Sequence, residues 1–369
     1  MNTSFLTGPV TVTRAVYAAF GALPVSHRTP EFIESMRHTR AALACLTRAS
    51  HVTLMLGSGT LANDAVAAQL RALERPGLIL SNGEFGERLI DHGRRWNLDF
   101  IVERRPWGDS FDWKELRQAA QQRPPAWIWA VLTETSTGVS NPLDELRALS
   151  GQVGAALCLD AISAIGLTPV DLHGVRFATA VSGKGLAAFP GIAAVFHDGH
   201  LAPPDRIPRY LDLSGYEAAN GVPFTHSSNL LAALECSLSQ TNWPRKFERV
   251  SAQSRALRAE LRKLSLLPLA HETHAADGIV TFAVPPQIST ADMAAALEKL
   301  EIEIAWQSRY LAQRNWMQIA LMGENDEYAV RSLPEVLAGC VERLSSHRRE
   351  QGRPPTIVHR PPLSSVADR

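Results

Sequence analysis

Lys184 sits between two glycines in Val181-Ser182-Gly183-Lys184-Gly185-Leu186, immediately after a predicted strand. Flanking glycines let the backbone approach a ligand closely, and a partly desolvated lysine has the lowered pKa that imine chemistry requires. Asp160 closes the apolar run Ala156-Leu157-Cys158-Leu159. An ionised carboxylate in such a place is costly without a positive partner, and a protonated pyridine-type nitrogen is one such partner. Gly57-Ser58-Gly59-Thr60 follows a further strand and opens a helix, so its N–H groups and hydroxyls can hold a phosphate. No Gly-Lys-Ser/Thr follows it, which excludes a Walker loop. Each feature also has an ordinary reading: a solvated lysine, an aspartate at a strand end, a turn with a Thr60 helix cap. Their order, a Gly-rich turn, then Asp after a strand, then Lys after a later strand, is more specific than any one member.

The elements that must position these residues are visible as short apolar runs alternating with helical periods. Strands are predicted over 52–56, 78–81, 99–103, 127–133, 156–160 and 177–181, and helices over 31–48, 60–73, 88–96, 112–121 and 143–153. This alternation predicts an α/β fold whose mainly parallel sheet is sandwiched by helices, with ligands gathering at the carboxyl ends of the strands. Residues 1–20 read as an N-terminal arm with a short helix, and 21–245 as a large domain. After Asn242-Trp243-Pro244 the texture changes to an α+β unit over 246–345, with helices at 246–264, 290–300 and 333–344 and strands at 278–284, 302–306 and 316–320. Residues 346–369, rich in Arg, Pro and Ser, read as a mobile tail.

Composition bounds the partners. Lys plus Arg equals Asp plus Glu at 37 each, so no overall positive field draws in nucleic acid or an anionic membrane, and a small molecule is the expected partner. Cys45, Cys158, Cys236 and Cys340 form no Cys-x-x-Cys pair, which argues against a metal site and for a reduced, cytoplasmic setting. The start of the chain lacks the features of a signal peptide, and the most apolar stretch, 154–167, is interrupted by Asp160 and falls short of the roughly 20 residues that span a bilayer.

From Gly8-Pro9 to about Glu342 the chain resembles the class V aminotransferases of pyridoxal-phosphate (PLP) fold type I, near the alanine–glyoxylate, serine–glyoxylate and 2-aminoethylphosphonate–pyruvate transaminases. The resemblance is carried by His27-Arg28-Thr29-Pro30-Glu31-Phe32, Asn82-Gly83-Glu84-Phe85-Gly86-Glu87-Arg88, Glu134-Thr135-Ser136-Thr137-Gly138-Val139, Asp160-Ala161-Ile162-Ser163 and Phe224-Thr225-His226. It implies that Lys184 forms the Schiff base with pyridoxal 5'-phosphate while Asp160 keeps the pyridine ring protonated. Phe85 and Ile162 would then pack on the two ring faces, Ser136 would approach the ring oxygen, and Ser58, Gly59 and Thr60 would hold the phosphate. Thr225 would reach the phosphate of a neighbouring subunit, which implies a homodimer with a shared active site. His27 and Arg28 are expected near the substrate.

The chain departs from the family at one informative position. Where relatives that take α-keto acids carry an Arg that grips the substrate carboxylate, this chain has Gln318 in Met317-Gln318-Ile319-Ala320. A neutral amide lacks that charge-assisted fork, a difference of roughly 1.5 to 3 kcal/mol. Either the substrate lacks an α-carboxylate or another cation, among Arg28, Arg309 and Arg314, holds it. The resemblance therefore implies transfer of an amino group between a small amine or amino acid and a keto acid or aldehyde. A PLP-dependent lyase or carbon–carbon bond-forming enzyme is the alternative that Gln318 raises.

Overall fold

Successive side chains of a strand point to opposite faces of its sheet, so a strand with no polar alternation must be covered on both sides. Leu54 and Met55, Ile79 and Leu80, Ile128 and Trp129, and Cys158 and Leu159 are such consecutive pairs, all but fully buried. The computed structural model describes residues 3–203 and 207–350. Its strands are β1 Thr3–Phe5, β2 His51–Leu56, β3 Gly77–Ser81, β4 Phe100–Arg104, β5 Trp127–Val131, β6 Thr133–Glu134, β7 Val139–Ser140, β8 Ala156–Asp160, β9 Phe177–Val181, β10 Ile192–His197, β11 Ile279–Ala283, β12 Ile302–Ile304 and β13 Trp316–Ala320. Its α-helices are α1 Arg14–Phe20, α2 Pro30–Thr47, α3 Gly59–Leu73, α4 Glu84–Arg95, α5 Trp113–Gln122, α6 Leu143–Val153, α7 Leu213–Ala218, α8 Ser228–Gln240, α9 Trp243–Lys263, α10 Thr290–Glu298, α11 Arg309–Arg314 and α12 Glu327–Glu350.

The main sheet has seven strands in the order β2-β10-β9-β8-β5-β3-β4. Only β10 runs against its neighbours; the pairs from β9 through β4 are all parallel. One face, with Leu54, Leu80, Ile128, Leu159 and Ala180, packs on a core that includes Phe32, Leu116, Leu146 and Leu234 of α2, α5, α6 and α8. The other face, with Met55, Ile79, Trp129, Cys158 and Val195, packs on Val66, Leu70 and Leu89 of α3 and α4. Strand β10 and helix α8 have no counterpart among the expected elements. Ile192-Ala-Ala-Val-Phe-His197 is buried along its whole length, like β3 and β5, but the run Gly185 to Gly191 before it supplies no helical period to set it off as the next strand of the alternation.

A second core joins Phe5, Leu257, Leu261, Val280, Phe282, Met317, Ile319, Leu333 and Leu337. Here β11 pairs antiparallel with β13, and β1 of the arm pairs parallel with β12. The arm is thus stitched by its first strand onto the C-terminal unit. Helix α12 continues through Glu350, so residues 346–350 are helical where a tail was expected, and 351–369 lie outside the described residues. Among the described residues no helix is long and apolar enough to cross a membrane.

The turn after β8 meets the Lys184 loop backbone to backbone. Gly166 has φ +85°, and a Cβ there would lie 2.4 Å from the carbonyl carbon and oxygen of Gly185. Gly166→Ala therefore combines a disfavoured left-handed conformation with overpacking. A loss of about 1–3 kcal/mol from overpacking alone is expected in denaturant unfolding, and unchanged stability would contradict this close approach.

Candidate functional site

Asp160 ends β8 with its side chain inside the protein, 5% exposed. Its Oδ2 accepts a hydrogen bond from Asn63 Nδ2 at 2.8 Å and its Oδ1 accepts from the Ile162 N–H at 3.1 Å. Asn63 projects from α3 and is itself fixed, because its Oδ1 accepts from Thr179 Oγ1 at 3.0 Å. Burial pushes the Asp160 pKa up, while Asn63, the Ile162 N–H and the Lys184 charge pull it down. The carboxylate is thus held for a positive partner.

Lys184 follows β9, the strand beside β8. Its Nζ donates to Ser163 Oγ at 2.9 Å and lies 5.3 Å from the centre of the Phe85 ring. Ser163 Oγ in turn accepts from Thr135 Oγ1 at 2.5 Å. Desolvation lowers the lysine pKa, opposed by the Asp160 charge and reinforced by Arg88. An amine biased toward its neutral form is the nucleophilic form.

Phe85 is aimed by Glu134. This fully buried carboxylate accepts from the N–H groups of Phe85 (3.3 Å), Gly86 (3.0 Å) and Ser136 (3.1 Å), and from Ser136 Oγ at 2.5 Å. It so caps the first turn of α4, where a negative charge meets the helix dipole favourably. Ser136 Oγ also accepts from the Glu84 N–H at 3.0 Å. The hydroxyl expected at a ring oxygen is therefore engaged by Glu134 and Glu84; those nearest the Lys184 amine belong to Ser163 and Thr135.

Helix α3 begins at Gly59 with Ser58 as its N-cap, and the Ser58 side chain makes no capping hydrogen bond. The first-turn N–H groups and the hydroxyls of exposed Ser58 and Thr60 face outward at the carboxyl end of β2. Gly59 is required by closeness: a Cβ there would lie 2.4 Å from Ile162 Cδ1. Ser58, Gly59, Ile162, Ser163, Asp160 and Lys184 thus form one continuous neighbourhood. Thr225 is exposed beside Phe224, whose ring stacks on Tyr210 at 5.4 Å, and the Tyr210 hydroxyl donates to the Leu56 carbonyl at the end of β2 at 3.0 Å. His226, whose ring lies 5.7 Å from Phe32, has its pKa lowered by burial first and also by the nearby His27. Arg28 is exposed in the same loop. Neither His27 nor Arg28 makes a hydrogen bond, ion pair or ring contact with Lys184, Asp160 or Phe85.

Gln318 is fully buried in β13, opposite Thr281 of β11. Its Nε2 donates to the Thr135 carbonyl and to Thr281 Oγ1 at 2.8 Å, while its Oε1 accepts from Tyr310 Oη at 3.3 Å. Both amide hydrogens are spent inside the protein. Gln318 thereby ties the C-terminal unit to the loop beneath Ser163. Sequence reasoning missed Asn63, Ser163, Thr135, Glu134 and Tyr310, although Thr135, Glu134 and Ser163 lie inside the motif segments it singled out.

Residues 12–204 match the model of the family "Aminotransferase class-V". The chain is 32% identical over 322 residues to the soluble hydrogenase 42 kDa subunit of Anabaena cylindrica, covering 81% of this chain and 82% of that one. It is 31% identical over 256 residues to a 2-aminoethylphosphonate–pyruvate transaminase of Pseudomonas fluorescens, covering 64% of this chain and 68% of the relative. Among solved structures, the alanine–glyoxylate aminotransferase of Nostoc sp. superposes with a TM-score of 0.81 at 25% identity, covering 93% and 95% of the two chains. The ureidoglycine–glyoxylate aminotransferase of Bacillus subtilis shares the fold with a TM-score of 0.86 at 23% identity, covering 94% of each. The chain belongs to the class V aminotransferase family, and it is a PLP-dependent aminotransferase of fold type I.

The residues present fit that cofactor. An uncapped helix N-terminus suits a phosphate, a buried carboxylate suits a protonated ring nitrogen, a desolvated amine suits an aldehyde carbon, and Phe85 offers an aromatic face.

Glu134 makes the site sensitive to acid in a defined direction. Burial pushes its carboxyl up to about 6 from 4.5, against the hydrogen bonds that favour ionisation. The folded protein then binds this proton more tightly than the unfolded chain. Its stabilising contribution is full below about pH 4.5 and is lost as pH rises through 6, a change of about 2 kcal/mol. Urea unfolding at pH 4.5 and pH 7 should show the stability difference between wild type and Glu134→Gln changing by that amount; a pH-independent difference would contradict it.

Proposed function

We propose that the chain transfers an amino group between a small amine or amino acid and a keto acid or aldehyde, with Lys184 as the covalent anchor of the cofactor. The observation that carries this reading is the desolvated Lys184 amine set against Phe85 and Ser163 at the end of β9, with the buried Asp160 at the end of the adjacent β8. PLP, when bound, supplies an electron sink for the substrate carbon.

The chain's own residues do the rest. Asp160, braced by Asn63 and the Ile162 N–H, presents a counter-charge to a protonated ring nitrogen. Ser163 and Thr135 orient the Lys184 amine, which would hold and move a proton at the substrate carbon. Ser58, Gly59 and Thr60 hold the phosphate at the start of α3. Thr225, exposed on the surface of one chain, completes the phosphate hold from a second copy in a homodimer. Phe85 and Ile162 enclose the ring. The lyase or carbon–carbon bond-forming alternative rested on the Arg missing at position 318, and the family match and the transaminase relatives favour amino transfer over it.

Purified protein supplied with PLP should show a visible absorption band that Lys184→Ala lacks, and the variant should lose at least ~10²-fold in transfer rate. With a productive amine, pyridoxamine phosphate should accumulate. Ammonia release without it would contradict transamination.

A further inference from the structure

Position 318 supplies no cation, yet the wall beyond Phe85 carries two. Phe85 meets Tyr310 edge-on at 6.5 Å, Tyr310 meets Trp107 at 6.3 Å, and the Arg314 guanidinium lies 3.9 Å over the Trp107 ring and 5.5 Å from that of Trp316. The Arg88 guanidinium lies 4.9 Å from the centre of the same Phe85 ring that the Lys184 amine approaches. Glu84 is the carboxylate shared by the two arginines: it accepts from Arg88 Nε at 3.2 Å, and its charge acts on Arg314. Among the described residues Arg314 has no ion-pair partner; its Nη1 donates to the Tyr310 carbonyl at 3.4 Å. Arg314 is half-buried, and a cation there without an ion-pair partner is costly.

We propose that Arg88 and Arg314 form the anion site of the substrate pocket, holding the carboxylate of an amino acid or oxo acid in place of the missing cation at position 318. The proposal rests on the aminotransferase reading above. Guanidiniums suit this work: each presents a planar fork, and the Trp107 indole under Arg314 fixes that side chain before the anion arrives. The cost of an unpaired cation is relieved when the substrate carboxylate enters. Gln318 then acts at a distance: it holds the Tyr310 hydroxyl, and Tyr310 is the ring between Phe85 and Trp107.

The test uses the PLP-loaded protein, its Arg88→Gln and Arg314→Gln variants, and two unreactive probes, propionate and propionamide, titrated by calorimetry. Both variants should keep the cofactor band, bind propionate about ten- to hundredfold more weakly, and bind propionamide like the wild type. Wild-type propionate affinity in either loaded variant would overturn the proposal, as would a wild type that does not prefer propionate to propionamide. Should Arg314→Gln fail to load PLP, Arg88→Gln, on the exposed side of α4, decides the matter alone. Absence of the cofactor band in the wild type would instead sink the aminotransferase reading, a separate result.

Discussion

Two opposite charges held out of water at the ends of neighbouring strands govern the rest of this molecule. Asp160 on β8 is pushed up by burial and Lys184 after β9 is pushed down, so each is biased toward its neutral form and each needs a partner. A cofactor with a basic ring nitrogen and an aldehyde offers a partner to both at once. The surrounding hydrogen bonds serve that pair: Thr179 fixes Asn63, Asn63 fixes Asp160, and Thr135 fixes Ser163, which receives the Lys184 amine.

The fold makes such a pair affordable through its two covered faces. Because β8 and β9 are buried on both sides, their carboxyl ends open into a low-dielectric crevice, the usual ligand position in open α/β sheets. Close approach at Gly59 sets the α3 N-terminus against the Ile162 side chain, and at Gly166 it sets the turn after β8 against the backbone of the Lys184 loop. The C-terminal unit joins the crevice from the other side, where Gln318 and Tyr310 reach Thr135 and Phe85.

What could be read from sequence follows from what is local. Lys184, Asp160 and the 58–60 turn each stand next to a predicted strand, so their shared edge was foreseeable. Asn63 was not, because its partners Asp160 and Thr179 lie 97 and 116 residues away and nothing in an alanine-rich helix marks it. Strand β10 escaped because no helix separates it from β9: it returns antiparallel beside β9 and so breaks the strand–helix alternation. Gln318 was noticed, but its hydrogen-bond partners were not. In the sequence it marks a missing charge, whereas in three dimensions it is a filled hydrogen-bonding position between two parts of the chain.

The central claim is that Lys184 carries the cofactor, and the lysine count makes it sharply testable. Of five lysines, Lys114, Lys263 and Lys299 are exposed, leaving Lys184 and Lys246. Lys246 is a genuine rival, since burial lowers its pKa to about 8. Its Nζ, however, donates to the Gly185 carbonyl at 2.6 Å and has Trp243 at 5.4 Å, with no carboxylate in ion-pair contact among the described residues. Borohydride reduction of the PLP-loaded protein, followed by peptide mass mapping, fixes the covalent link where it stands. The account predicts the pyridoxyl mass on the peptide bearing Lys184; finding it on Lys246, or on no lysine, would contradict it.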